Sequence, residues 1–551
     1  MFVTVVFNNE YMDITSRKMW YLKNLFHCKE NGWIMITHDY IRKHFEELQE
    51  SITDRFINQF EMRRFTLEEV KDVEQYFVPD EIFDDMEKEK GSRTEMLFDF
   101  FSKSNPKLDK YLNDIFSNIQ KNHPDDKIEG IFNCLESFES LRKISLELGC
   151  PIINYSFSAF RKVHGYRQTL YVTNLRTNFW NGKECDERYN RFLQEDRTDL
   201  PTFTNEELIT IIGKEHTLPL IKLIKSKPKY EMGICCECFS LVPPVFNKKP
   251  YTDDDIFYEC KKLYGSDKLK VRSHAAHLND IQVDRNEVHN DPVSTLLSSK
   301  RVTAVQSQIL LKSLLWKRTT ILKTDSLALS FLCEKDLSSE KTPSLEGLNY
   351  FFFGYLIPSD LMFSDEYWKW RFTNPSEKEI YWRHFSFLLT TLGIDKKKMM
   401  DLQGKDRFRN LLESRNCDHQ LIDSLLNDDI VDNVNWDVAT SQFDVISGEG
   451  RKTYWRIDTE KEGGLTSNLS VECKEVSAVK FYPLYDVAGF ARLISVKVNG
   501  KVLNLNSEMK SFQFMPKNKG CFTLIMDEII KNYIDIECIW EYKKVYDFLN
   551  S

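Results

Sequence analysis

A chain of 551 residues is longer than one ordinary hydrophobic core organises, so roughly two to four domains are expected. With 42% hydrophobic and 29% charged residues the composition is globular. The formal net charge of -9 argues against a chain devoted to binding nucleic acid, and no apolar run reaches the ~18 residues needed to cross a bilayer.

The opening "MFVTVVFNNEYMD" reads as a strand, without the basic region and apolar stretch of a secretory leader. Together with 13 scattered cysteines this leads to the expectation of a cytoplasmic protein with reduced thiols. Helices follow. "HDYIRKHFEELQESITDRFINQF" and "GSRTEMLFDFFSKSNPKLDKYLNDIFSNIQKN" both carry apolar residues at i, i+3, i+4 spacing. Alternation then sets in, with "KIEGIFNCL" as a strand, "SFESLRKISLELG" as a helix closed by Gly149, and "CPIINYSF" as a strand. "FTNEELITIIGKEH" reads as a helix, and a boundary is expected near residue 230.

A second α/β series begins at "GICCECFSLVPPVF". Cys235 and Cys238 form a single C-x-x-C there; with no second pair nearby, no metal is expected. Thr252 with Asp253, Asp254 and Asp255 starts a helix, "KLKVRSHAAH" is a strand, and Asp291 with Pro292 opens another helix. "RVTAVQSQILLKSLLWKRTTILKTDS" is a strand-turn-helix-strand unit whose polar residues fall between strand and helix. Ser376 and Glu379 form a capping box. Beyond about residue 440 the pattern turns to alternation, with Asn499-Gly500 as a type I′ hairpin signal, and a β-sandwich is expected. The expected domains are 1–228, an α/β acceptor-side domain with a helical insertion; 229–395, an α/β nucleotide-sugar domain; 396–438, a helical linker; and 439–551, a β accessory domain.

In open α/β sheets ligands bind outside the carboxyl ends of the strands. His274, Gln306, Ser307, Ser326 and Glu237 all follow predicted strands of the second series. A histidine and a hydroxyl at strand ends suit a phosphate through charge-assisted hydrogen bonds and a helix's free N–H groups. Each also has a plain reading, Ser307 as a helix cap and His274 as a loop residue. No G-x-x-x-x-G-K-[ST] or G-x-G-x-x-G loop is present, which weighs against a P-loop ATPase or a standard NAD enzyme.

"KLKVRSHAAH" followed by "VTAVQSQILLKSLLWKRTTIL" resembles the nucleotide-binding half of the capsule and lipopolysaccharide Kdo transferases, GT-B enzymes that use CMP-Kdo (cytidine monophosphate-activated 3-deoxy-manno-octulosonic acid). His274 and Ser307 match that pattern, and Ala275 stands where the family has proline. "GSRTEMLFDFFSKSNPKLDKYL", "IEGIFNCLESFESLRKISLELGCPII" and "FRKVHGYRQTLYV" are similar in order and spacing to the retaining β-Kdo branch, with Arg161, Tyr166 and Thr169 matching. The branch's two carboxylate positions fall instead at Ser156 and at Thr173, or Asn174 with a shift of one. A retaining displacement needs a carboxylate nucleophile, which leaves Glu136, Glu139 or Glu237 as candidate acids.

The resemblance implies an α/β chain with a GT-B-like pair of Rossmann-type domains plus a C-terminal β-sandwich-like domain. It implies transfer of an acidic sugar, Kdo or a relative, from a CMP-activated donor to a bacterial surface glycan, with no cofactor beyond that donor. Ser156, Arg161 and Glu136 are the catalytic candidates; His274, Gln306, Ser307, Ser326 and Glu237 the donor-binding ones; Tyr166, Thr173 and Asn174 the substrate-binding ones. Expected partners are a nucleotide sugar and an oligosaccharide or glycolipid acceptor, without nucleic acid, and with peripheral contact at the inner membrane or with other glycan-assembly enzymes left open. The alternatives are a non-catalytic glycan-binding or assembly protein of the same fold, and a GT-B transferase using a UDP- or GDP-sugar.

Overall fold

The computed structural model describes residues 1–7, 14–91, 93–134, 138–162, 165–175, 183–236, 252–272, 292–305, 307–323, 330–427, 440–448, 450–457, 459–461, 464–484, 489–515 and 520–544. Contacts divide the chain into two compact units, Met1–Gly265 with Ser299–Val431, and Ser266–Ser298 with Asp432–Ser551. It is a mixed α/β chain with parallel sheets and a C-terminal antiparallel sheet.

The first unit opens on a seven-stranded sheet. Its strands are β1 (Phe2–Val6), β2 (Ile34–His38), β3 (Gln75–Val78), β4 (Gly130–Cys134), β5 (Ile152–Phe157) and β6 (Leu170–Asn174), and it is closed by the short late strand Ile357–Pro358. From that late strand the order runs β6-β5-β4-β1-β2-β3. Strands β1 to β5 are parallel, and β6 is antiparallel to β5. Such strands are covered on both faces, which is why "FVTVV" and "IMITH" are nearly continuous apolar runs without alternation. One face carries the Ile14–Asn31 helix, with Tyr21, Leu22, Leu25 and Phe26 in its core. The other carries the Pro106–Asn122 helix, with Leu108, Leu112, Phe116 and Ile119. Because β2 and β3 lie to one side of β1 and β4 to the other, the chain reverses its winding between β1 and β4.

Local signals hold at several ends. Asn105 accepts from Lys107 N and Leu108 N ahead of Pro106, and the Glu139–Leu148 helix stops at Gly149 with φ +63°. The long helix expected over "HDYIRKHFEELQESITDRFINQF" is instead three pieces, Asp39–Lys43, a 3₁₀ turn Phe45–Ser51, and Asp54–Phe60. The cause is local: the Thr53 hydroxyl accepts from Phe56 N at 3.2 Å and starts a new helix inside the apolar period.

Further on, β7 (Tyr230–Cys235) follows, then β8 (Leu269–Arg272), which falls in the second unit, then β9 (Ser299–Ala304) and β10 (Thr319–Leu322). Strands β7, β9 and β10 are parallel. The capping boxes Thr252/Asp255 and Ser376/Glu379 are both formed, opening helices Asp253–Tyr264 and Glu377–Thr391. The helix after β9 spans Leu310–Leu315, and Ser307 does not cap it: its N-cap is Ile309, and Ser307 contributes its carbonyl to Leu310 N. At the other end Asn205 Nδ2 donates to the carbonyls of Leu314 and Leu315.

The second unit contains an eight-stranded sheet built on two long antiparallel strands, Gly464–Leu484 and Phe522–Lys544. Where a sandwich of two sheets is expected, hydrogen bonding joins all its strands into one. Register shifts at Cys473/Glu475 and Val476/Ala478 bend the long pair, as bulges do. Asn499 and Gly500 have φ of 47° and 78° between paired strands, the two positive values a type I′ turn requires. Trp540, Phe481, Phe443 and Leu493 lie in its core.

Candidate functional site

Glu136, Glu237, His274, Gln306 and Ser326 lie outside the described residues, as do Cys238 and Asp291. Their places in the chain are still informative. β4 ends at Cys134, beside the reversal of winding, and Glu136 follows by two residues. Glu237 follows β7, His274 follows β8, Gln306 and Ser307 follow β9, and Ser326 follows β10. Ser307 itself is half-buried.

The β5–β6 loop collects the residues that carry the resemblance. Arg161 follows β5, and its carbonyl accepts from Tyr166 N at 3.3 Å. Thr169 N donates to both carboxylate oxygens of Glu61, at 3.2 and 3.1 Å, and Lys162 N donates to the Thr169 hydroxyl. Glu61, held at φ +59°, thus pins the far end of the loop; burial pushes its carboxyl up, and the Thr169 N–H works the other way. The Tyr166 ring is buried edge-on to Phe160, with Lys312 Nζ 5.2 Å from its centroid. Ser156, Thr173 and Asn174 are buried within β5 and β6, and the Thr173 carbonyl accepts from Tyr355 Oη at 2.8 Å. Ser156 is paired across the ladder with Val172, and Thr173 with Tyr155.

Beneath Arg161 lies a group that sequence reasoning missed. Lys23, in the Ile14–Asn31 helix, is 0% exposed, and its ammonium has no hydrogen-bond partner among the described residues. Around it stand Trp20, Phe60, Tyr155, Phe157, Tyr171 and Phe363, with centroids 4.4 to 5.6 Å from Nζ. Burial, with Arg161 acting in the same direction, lowers its pKa to about 7. Arg161 shares the Phe157 ring, 4.5 Å from its guanidinium carbon. His27, one helical turn on from Lys23, stacks on Phe363 at 3.6 Å, and its Nε2 is enclosed without a partner. Burial and then Lys23 hold that imidazole uncharged. The available signal was a lysine at an apolar position of a helix, Trp20, Tyr21, Lys23, Asn24, Phe26, His27, which reads as a solvated face until the neighbours are known.

A second polar centre also went unread. Arg188, buried, donates from Nε and Nη2 to the Glu377 carboxylate and from Nη2 to the Gly354 carbonyl at 3.0 Å. Glu377 also accepts from Arg191 at 2.8 Å and from Tyr350 Oη at 3.0 Å. The Gly354 carbonyl is presented by a π-helical turn, Phe351–Tyr355, that continues the Leu345–Tyr350 helix. A methyl group at Gly354 would stand 2.6 Å from the Tyr350 ring. Gly354→Ala is therefore expected to displace that ring from Glu377 and destabilise the unit by about 1–3 kcal/mol, read as a lowered urea midpoint with Tyr350→Phe as the comparison.

A cavity of about 520 Å³ opens beside this part of the unit, lined by Thr198, Asp199, Thr202, Gln403 and Arg407 among others. None of the residues named from the sequence lines it. Its Arg407 is tied to Glu207 at 2.7 and 2.8 Å. Among the described residues no histidine, cysteine and carboxylate cluster suited to a metal is found, and no helix is long and apolar enough to cross a membrane.

No family model matches the chain, and no curated protein does. Similar solved structures exist at low identity. The β-Kdo 2,7 transferase KpsC of Thermosulfurimonas dismutans is 10% identical with a TM-score of 0.28, over 45% of this chain and 86% of that one. The β-Kdo 2,4 transferase KpsC of the same organism is 12% identical with a TM-score of 0.27, over 40% and 78%. The UDP-GlcNAc 2-epimerase of Neisseria meningitidis, bound to UDP-GlcNAc, is 10% identical with a TM-score of 0.23, over 71% and 100%.

Proposed function

We propose that this chain is a glycosyltransferase that moves an acidic sugar, Kdo or a relative, from a CMP-activated donor to a glycan acceptor. The observation that carries the reading is positional. His274 and Ser307, the donor-side residues that the sequence resemblance matches, come two and three residues after the ends of β8 and β9, and Gln306, Glu237 and Ser326 come two to four residues after the ends of β9, β7 and β10, in the stretch beyond the strands where open α/β sheets hold nucleotides. In this reading the acceptor hydroxyl attacks the anomeric carbon as the bond to the CMP phosphate breaks. His274 and Ser307, with Gln306 and Ser326 beside them, stabilise the charge that develops on the departing phosphate. Arg161 and Tyr166 belong to the sugar side, and Glu136, two residues beyond β4, is the candidate carboxylate there, positioned in the chain to take the proton that the acceptor hydroxyl gives up. Contact with the inner membrane or with other glycan-assembly enzymes is part of the same proposal.

One observation favours a second reading, a binding or assembly protein of this fold. The positions aligned with the family's carboxylates are Ser156 and Thr173 or Asn174, none of them acidic and all of them buried in strands.

Incubation with CMP-Kdo and short acceptor glycans, read by mass spectrometry, tests the first. The expected result is acceptor heavier by one sugar-acid residue with release of CMP. His274→Ala and Ser307→Ala are each expected to lower turnover by about 10²–10³-fold, the scale of one lost preorganised donor. Absence of transfer together with absence of CMP binding overturns the proposal, and glycan binding without CMP binding selects the second reading.

A further inference from the structure

We propose that the aromatic box around Lys23 is a binding site for a small oxyanion, a carboxylate or a phosphate, held between the Lys23 amine, the His27 imidazole and the Arg161 guanidinium. Buried donors in native proteins are almost always satisfied, and one that is not calls for an ion or water. Here several converge. Lys23 Nζ and His27 Nε2 are both enclosed without a hydrogen-bond partner among the described residues. The Arg161 side chain, half-buried against Phe157, makes no ion pair among them either. Among the described residues no acid pairs with these groups: Glu61, whose charge reaches Tyr171, has both oxygens on Thr169 N.

The groups occupy one place. Lys23 and His27 are successive on one helix face and share the Phe363 ring, while Lys23 and Arg161 share the Phe157 ring. A neutral molecule would leave the cations to repel one another in a low dielectric, whereas an oxyanion accepts from all of them at once. Arg161 disfavours the charge on Lys23, and an anion held between them reverses that. The aromatic walls limit the ligand to a small group, the ionised end of a metabolite or a free anion.

This site shares Arg161 with the sugar side of the transferase reading, while Lys23 and His27 have no part in that reading and none of the three follows β7, β8, β9 or β10. Calorimetry of the full chain with acetate, inorganic phosphate and CMP, at constant ionic strength held with chloride, tests it. Saturable binding of acetate or phosphate is expected. Lys23→Met is expected to weaken it at least tenfold, as is Arg161→Gln should the first variant not fold. Acetate binding alone identifies the source as a carboxylate, inorganic phosphate binding alone as a free phosphate, and CMP binding that Lys23→Met weakens as a phosphate ester, whereas CMP binding that the variant keeps unchanged belongs to the donor side and not to this box. In wild-type protein the bound anion is also expected to slow acylation of Lys23 by acetic anhydride several-fold while surface lysines are unaffected, read by peptide mass spectrometry. No binding of any of these anions, or equal binding by wild type and variant, overturns the proposal.

Discussion

Glu377→Ala is expected to cost the first unit about 3–5 kcal/mol, the usual penalty for removing one partner of a buried ion pair. The Arg188 and Glu377 side chains are each 4% exposed, so water cannot replace the lost carboxylate. Burial alone would push the Glu377 carboxyl up, but the Arg188 guanidinium outweighs it and holds the group below the ordinary carboxylate range. With Glu377 gone, Arg188 retains the Gly354 carbonyl and little else, while Arg371, its Nε already unpartnered, sits close enough to repel it. His384 cannot respond by shedding charge, since burial and then Arg371 already keep it neutral; Tyr367 Oη lies 2.7 Å from its Nε2. The paired change Arg188→Met with Glu377→Leu removes both charges and is expected to return to within about 1–2 kcal/mol of wild type. The sign with pH follows from the lowered carboxyl. Its contribution is fully present above the unfolded pKa and fades as pH falls through the folded one, so Glu377→Gln should flatten the acid limb of stability. Urea midpoints by near-ultraviolet circular dichroism at neutral and acid pH measure this. A loss below about 1 kcal/mol for Glu377→Ala would mean the arginines are solvated in solution.

How far the residues announced this architecture depends on how local each signal is. Caps and turns were legible because they act over a few residues: Thr252 with its acids, Ser376 with Glu379, Gly149, and Asn499-Gly500 all do what their chemistry predicts. The parallel strands were legible because burial on both faces writes nearly continuous apolar runs such as "FVTVV". The Thr53 cap failed to register because the helical period runs through it, and periodicity is blind to a competing hydroxyl. One antiparallel sheet in place of a sandwich could not be foreseen, since alternation gives the face of a strand and not its partner. Arg161 was found through a sequence resemblance, and Ser307 through its place after a strand; neither Lys23 nor Glu377 has such a signature. Lysine and glutamate are assigned to solvent by default, and what overrules that is contact over long separations: Arg188 with Glu377, or Lys23 with Phe157 and Phe363. Polar groups buried by tertiary contact are the part of a site that local pattern conceals.

The largest effect of such a group should be visible in the pH dependence of stability. In the unfolded chain Lys23 titrates near the ordinary lysine value of 10.5, whereas in the folded unit burial brings it to about 7. Between those values the unfolded state binds the extra proton, so stability gained through this residue rises with pH, by about 1.4 kcal/mol per pH unit. Below the folded value the whole penalty is present, up to about 5 kcal/mol, the charged amine then being forced into a box without an acceptor. Other groups bend the same curve. Burial raises Cys28 to about 12, so above the ordinary thiol range stability is lost through it, and Tyr155 and Tyr171 act likewise at higher pH. Arg161, His27 and Cys134 complete the charged and titratable surroundings, with Glu61 beyond Tyr171. The difference between wild type and Lys23→Met cancels those contributions. The methionine variant is expected to be the more stable at pH 6, with the gap closing steadily above pH 7. Saturating acetate or phosphate in wild type should stabilise the ammonium and move the onset of that closing to higher pH, a shift the variant cannot show. Parallel curves for the two proteins would mean that Lys23 keeps an ordinary ammonium with a partner in solution, and the aromatic box would lose its claim on an anion.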